Sequence, residues 1–154
     1  MKKAIYLLIL TIATIACIIV GVSTHIGGFQ IWGIGSKKVI SDESTLGMFD
    51  TIHLTANVME LIVKTGEDYA IEYSCTEGLV PDYEVKDGEL VVEQEKDMTL
   101  FGNSKCSVTI TIPEEKALAR VFIDIDVGDV TVENMEIVSF TLEADVGYIN
   151  IKNL

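Results

Sequence analysis

The sequence predicts an all-β domain, a single-sided or partial β-solenoid of stacked β-coils, preceded by one N-terminal transmembrane helix. Three observations carry this. From Ala4 to Val22 the chain has no charged residue in 19 positions. Past Phe49 its apolar residues recur in twos, the spacing of half-buried strands. Near the C-terminus a stretch repeats with a glycine at the same place in each copy. The 154 residues have room for one compact domain and a targeting segment. The expected boundaries are an anchor over 1–22, a juxtamembrane tether over 23–48 and a β-rich extracytoplasmic domain over 49–154.

The segment AIYLLILTIATIACIIVGV is about as long as a helix needs to cross hydrocarbon at 1.5 Å per residue. Lys2 and Lys3 precede it and no basic residue follows for a dozen positions, which orients the N-terminus inside and the remainder outside. The expected location is a single-pass cell-membrane protein. A cleaved signal peptide and a secreted product are the alternative, since Gly21 and Ser23 form a small-x-small pair, but the apolar run is long for a signal core. Cys17 reads as a membrane-embedded thiol rather than a lipidation site, because Thr14 stands where a large aliphatic residue is wanted. Residues 23–48 are rich in Gly and Ser without sustained periodicity, and Phe29 and Trp32 suit an interfacial aromatic anchor.

Five segments then alternate. They run through Ile52-Leu54-Ala56-Val58, Tyr69-Ile71-Tyr73-Cys75, Cys106-Val108-Ile110-Ile112, Val121-Ile123-Ile125-Val127 and Phe140-Leu142-Ala144-Val146. Between DYEV and ELVVE, Asp87-Gly88 has the chemistry of a type I′ hairpin turn, whose central residues need positive φ. Around Met59 to Val63 the phase is ambiguous, and a bend or bulge is expected there. No stretch after residue 48 has the spacing of an amphipathic helix.

The repeat sets DVGDVTVEN over DVGYINIKN at an offset of 19, matching Asp126 with Asp145, Gly128 with Gly147 and Asn134 with Asn153. Stacked β-coils that turn at Gly128 and Gly147 would produce this spacing. Two neighbouring hairpins with a shared turn type are the alternative.

The order of these features resembles a bacterial family of extracytoplasmic domains of unknown function labelled putative adhesins. The matching elements are the apolar anchor, the opening strand Phe49-Asp50-Thr51-Ile52-His53-Leu54 and the turn Lys86-Asp87-Gly88-Glu89-Leu90. The strand Val108-Thr109-Ile110-Thr111-Ile112-Pro113 follows, then Val127-Gly128-Asp129-Val130 and Val146-Gly147-Tyr148-Ile149. The resemblance covers residues 49–154 and implies a β-solenoid-like fold at the cell envelope with no catalytic residues. Members of that family commonly continue through further Gly-Asp-Ile coils, whereas this sequence stops at Leu154.

No catalytic set, cofactor motif or zinc spacing can be assembled. The histidines are His25, in the tether, and His53, on the polar phase of its strand, where a solvated side chain is expected rather than a general base. Cys75 and Cys106 both fall on apolar phases. They read equally as two buried thiols or as a disulfide closing a loop of about 30 residues, contributing ~3–4 kcal/mol through the unfolded state. If the coils stack in register, Asp124 lies over Glu143 and Asp126 over Asp145 on the solvent side. A bound Ca²⁺ could relieve that crowding. A solvated acidic face is favoured over calcium because the nonapeptide pattern of calcium-binding β-rolls is missing.

The net charge of −13 is unevenly placed: setting Lys2 and Lys3 aside leaves nine basic side chains against 24 acidic ones. Such a surface repels phosphate, which disfavours nucleic acid as a partner. The expected function is a non-enzymatic, membrane-anchored envelope module binding a protein or glycan. The alternative is a sensory or regulatory ectodomain that pairs with another membrane protein in envelope stress signalling, since Met1 to Lys3 leave no cytoplasmic machinery. An envelope hydrolase using Asp124 and Asp126 is disfavoured because same-face acids on a flat sheet lack a pocket. The C-terminal strand Asn150-Ile151-Lys152-Asn153-Leu154 is expected to leave an open edge for self-association or partner pairing.

Overall fold

The computed structural model describes residues 38–94 and 104–153. The expected transmembrane segment, Cys17, His25, Phe29 and Trp32 lie outside them. Among the described residues no helix is long and apolar enough to cross a membrane. All regular structure there is strand: β1 Val39–Thr45, β2 Thr51–Val58, β3 Glu60–Gly66, β4 Ala70–Thr76, β5 Asp82–Lys86, β6 Glu89–Glu93, β7 Cys106–Pro113, β8 Leu118–Val127, β9 Val130–Glu133, β10 Ile137–Val146 and β11 Ile149–Lys152.

These strands form two sheets, ordered β1-β4-β7-β3-β9-β11 and β10-β8-β2-β6-β5. Apolar side chains of both sheets meet in one buried cluster, to which β2, β3, β6, β7, β8 and β9 all contribute. The architecture is therefore two-faced rather than single-sided. Each coil gives one strand to each sheet, in layers β6/β7, β2/β3, β8/β9 and β10/β11, paired in parallel with their neighbours. Stacking is what makes the spacing regular. An alternating strand has one apolar face to bury, and a parallel neighbour of the same pattern places like beside like: Val121 sits between Ile52 and Phe140, and Ile123 between Leu54 and Leu142.

The repeat read in the sequence is the pair of layers β8/β9 and β10/β11. Val130 is in register with Ile149, and Val132 with Ile151. A third copy went unseen. β2/β3 stacks beneath them, with Leu61 beside Val130 and Val63 beside Val132, so Val58-Met59-Glu60-Leu61 is the counterpart of Val127-Gly128-Asp129-Val130. The ambiguous phase near Met59 marks this coil's corner, where the chain passes from one sheet to the other with a single residue between strands.

Met59 does not take a positive φ at its corner, whereas the other two corners do. Gly128 and Gly147 both have φ of 153°, in the region open to glycine. A Cβ on Gly128 would sit 1.8 Å from the carbonyl oxygen of Met59, and one on Gly147 the same distance from that of Gly128. Each upper corner lies directly on the backbone of the corner below. The opposite corners repeat too: Asn134 and Asn153 take φ of 58° and 53°, and the Asn153 Nδ2 donates to the Asn134 Oδ1 at 2.7 Å.

The far end of the stack is closed by antiparallel strands. β5 returns on β6 through Asp87 and Gly88, whose φ of 52° and 82° are those of the type I′ turn the sequence predicts. β4 lies antiparallel to β7, and β1 antiparallel to β4. β1 corrects the expected tether: Val39–Thr45 is part of a sheet, so the ordered β domain includes residues before Phe49. Its sequence, VISDEST, offers only Ile40 and Ser44 as half-buried side chains, and it is held mainly by backbone pairing, which leaves no apolar alternation to read.

Candidate functional site

The cysteines fall on β4 and β7, directly opposite each other, and their sulfurs are bonded at 2.02 Å across a sequence separation of 31. Both are buried. Beside them the Thr76 and Lys105 backbones are also joined, the Thr76 N–H donating to the Lys105 carbonyl at 2.8 Å and the Lys105 N–H donating to the Thr76 hydroxyl at 3.0 Å. This group fastens the closed end of one sheet and exposes no reactive sulfur.

Gln94, which the sequence reading passed over, fixes the corner of the β2/β3 coil. Its Oε1 accepts the backbone N–H groups of Asn57 and Val58 at 3.1 and 2.9 Å, while its Nε2 donates to the Leu79 carbonyl at 2.7 Å. An amide is required because the site needs an acceptor and a donor together. No periodicity announces such a residue; it follows β6 as one more polar side chain.

The acidic row has the predicted register. Asp124 is paired with Glu143, and the flanking pairs Ile125 with Ala144 and Val127 with Val146 set Asp126 alongside Asp145. All four lie on the outer face. Among the described residues no three His, Cys, Asp or Glu side chains are grouped to hold a metal ion. His53 also faces outward, its ring 4.8 Å from that of Phe122 and its Nδ1 3.9 Å from a Glu89 carboxylate oxygen, with nearly half the side chain exposed. A concavity follows the coil corners by Met59 and Gly128. Of its carboxylates, Asp129 is engaged through Oδ1 by the Tyr148 N–H at 2.9 Å.

The two ends of the stack differ in chemistry. At the closed end the inner row of β1 is Ile40, Asp42 and Ser44, opposite Cys75, Tyr73 and Ile71. The Tyr83 hydroxyl donates to the Ser44 hydroxyl at 3.0 Å, and the rings of Tyr73 and Tyr83 meet edge to face at 6.3 Å. Partial burial, with smaller contributions from Asp42 and Tyr83, holds the Tyr73 phenol above its ordinary value. At the other end, β10 and β11 are the last described strands of their sheets. Val130 and Val132 are fully buried, yet their stack mates Ile149 and Ile151 are 51% and 41% exposed, and Tyr148 is 82% exposed. The difference follows the stacking: β11 lies beside β9 and covers Val130 and Val132, and among the described residues no strand lies beyond β11.

Parallel coils that each supply one strand to two facing sheets, with corners laid on one another, define a β-solenoid-like module. The chain belongs to the Toastrack DUF4097 family, whose model matches residues 49–154; β1 precedes the matched region. A crystal structure of a putative adhesin from Bacteroides fragilis is similar at 23% identity and a TM-score of 0.61, over 77% of this chain and 56% of that one. A putative cell adhesion protein from Clostridium sporogenes is similar at 16% identity and a TM-score of 0.49, over 75% of this chain and 59% of that one. This chain thus spans little more than half the length of either. No curated protein matches it.

Proposed function

We propose that the chain is a non-enzymatic, membrane-anchored module of the cell envelope that docks a protein on the exposed face of β10 and β11. The observation that carries this reading is the contrast between Val130 and Val132, buried under a further coil, and Ile149 and Ile151, half uncovered in the same stacking positions. A surface that combines aliphatic side chains with strand edges suits a protein better than a glycan, which asks for an aromatic platform and polar groups. The anchor over 4–22 holds the module to the membrane from the cytoplasmic side outward. The reading agrees with the adhesion named for the Bacteroides fragilis protein.

The test is photo-crosslinking in native membranes with a photoreactive residue at Tyr148, and at Glu84 on β5 as the distant control. Discrete protein adducts from position 148 that are absent from position 84 are expected. No adduct at 148, or the same adducts from both positions, overturns the reading.

A further inference from the structure

The exposed face formed by β10 and β11 is self-complementary, and we infer that it is occupied by a second copy of this chain, joined about a twofold axis. This rests on the preceding reading that the coil end docks a protein. A twofold axis passing through both sheets, across the stack, turns β10 antiparallel to β10 of the second copy and β11 antiparallel to its β11. Both sheets then continue through the junction with antiparallel ladders, and the interface is isologous and closed.

The sequence of β10 suits a register with the axis at Leu142. Phe140, Leu142 and Ala144 face the core with their stack mates Val121, Ile123 and Ile125, while Ser139, Thr141, Glu143 and Asp145 face solvent. With the axis at Leu142, Phe140 of one copy lies opposite Ala144 of the other, large against small, and Leu142 meets itself. On the outer face Thr141 lies opposite Glu143 and Ser139 opposite Asp145, so every carboxylate faces a hydroxyl. Val138 and Val146, exposed by 79% and 62%, come opposite each other. An axis at Glu143 would set that carboxylate against itself, and one at Ala144 would set it against Asp145; like charges directly opposite are destabilising.

Stacking the end of one copy on the closed end of another is the competing arrangement. There the edge strands are β1 and β5, with Asp42, Glu43, Asp82 and Glu84 exposed along them. Asp42 and Ser44 stand in the inner row of β1, where Ile149 and Ile151 would need apolar cover. That contact sets acid against the acid of β10, and being heterologous it would run on into a filament. Only the twofold junction brings apolar end to apolar end.

The test uses the full chain in detergent micelles, so the anchor is present throughout. Thr141 is exposed, so its substitution leaves the folded chain intact and reports on the junction. Thr141→Glu would meet Glu143 of the second copy twice and should raise the dimer dissociation constant roughly tenfold, whereas Thr141→Lys should lower it. Sedimentation reads both. In a Cys17→Ser background, Leu142→Cys should form a disulfide-linked dimer on mild oxidation. Val138→Cys mixed with Val146→Cys should cross-link far more than either alone. A full chain that sediments as a monomer overturns the inference, and so does a dimer indifferent to both charges at 141, which would be held by the anchor. In either case protein adducts from position 148 in membranes that contain only other proteins leave the docking function standing. The absence of any adduct removes both.

Discussion

Replacing Gly128 with alanine tests the stacked-corner geometry most directly. The new Cβ would lie 1.8 Å from the Met59 carbonyl oxygen and 2.6 Å from its carbon, both of them backbone atoms of the coil below. A side chain could swing away; a backbone cannot without moving its coil. The φ of 153° adds strain of about 1–3 kcal/mol for any residue with a Cβ. Moving the corners apart also stretches two backbone bonds, Met59 N–H to Val127 O at 3.0 Å and Leu61 N–H to Asp129 O at 2.8 Å. Each is worth about 1 kcal/mol. The sum is about 3–5 kcal/mol, at the severe end for a single substitution. Two other glycines serve as controls. Gly88→Ala has a positive φ of 82° but nothing within 4 Å of the new carbon, and should cost only about 1 kcal/mol. Gly147→Ala meets the Gly128 carbonyl oxygen at 1.8 Å at the corner between β10 and β11, the outermost described strands, so hydrogen exchange should accelerate there first. Urea unfolding of the full chain in a mild detergent, followed by circular dichroism, gives the ranking. If Gly128→Ala loses no more stability than Gly88→Ala, the coil below does not dictate the corner, and the reasoning fails.

Three further expectations follow from the same contacts. Gln94→Ala strands the N–H groups of Asn57 and Val58 and the carbonyl of Leu79, and should cost about 2–4 kcal/mol in the same urea assay, against about 1 kcal/mol for an ordinary lost hydrogen bond. The double substitution Cys75→Ala with Cys106→Ala should lower stability by about 3–4 kcal/mol from the unfolded-state entropy of a loop of this length; a melting temperature unchanged from the parent would refute that role. For Tyr73 the sign is set by its raised folded value: below pH ~10 the phenol is neutral in both states, and above it the unfolded chain ionises first, so stability falls as pH rises through the folded value. Tyr73→Phe should flatten that alkaline decline, and identical pH profiles for parent and variant would show that another group causes it.

The candidate surface was legible only in part. The stacking of β10 and β11 on β8 and β9 could be named from the repeat, because two copies at one spacing imply a direction of stacking. That Ile149 and Ile151 are half exposed while Val130 and Val132 are covered could not, since all four are aliphatic residues at equivalent positions and differ only in what lies above them. Gln94 left no trace for a similar reason: its partners are backbone groups of segments distant in sequence.

By itself the sequence determined the all-β class, the alternating strands, the type I′ turn at Asp87-Gly88 and the coil repeat with corners at Gly128 and Gly147. These are local facts, written in which side chains face inward and where the chain must turn. The tertiary structure alone decided that β1 joins a sheet, that Val58-Met59-Glu60-Leu61 is a coil corner without its glycine, and that Cys75 stands opposite Cys106. It also decided that polar strands close one end of the stack and that, among the described residues, β10 and β11 are outermost at the other. Backbone pairing and stacking order bring together residues far apart in the chain, and a periodic pattern records which way a side chain points but not which strand comes to lie beside it.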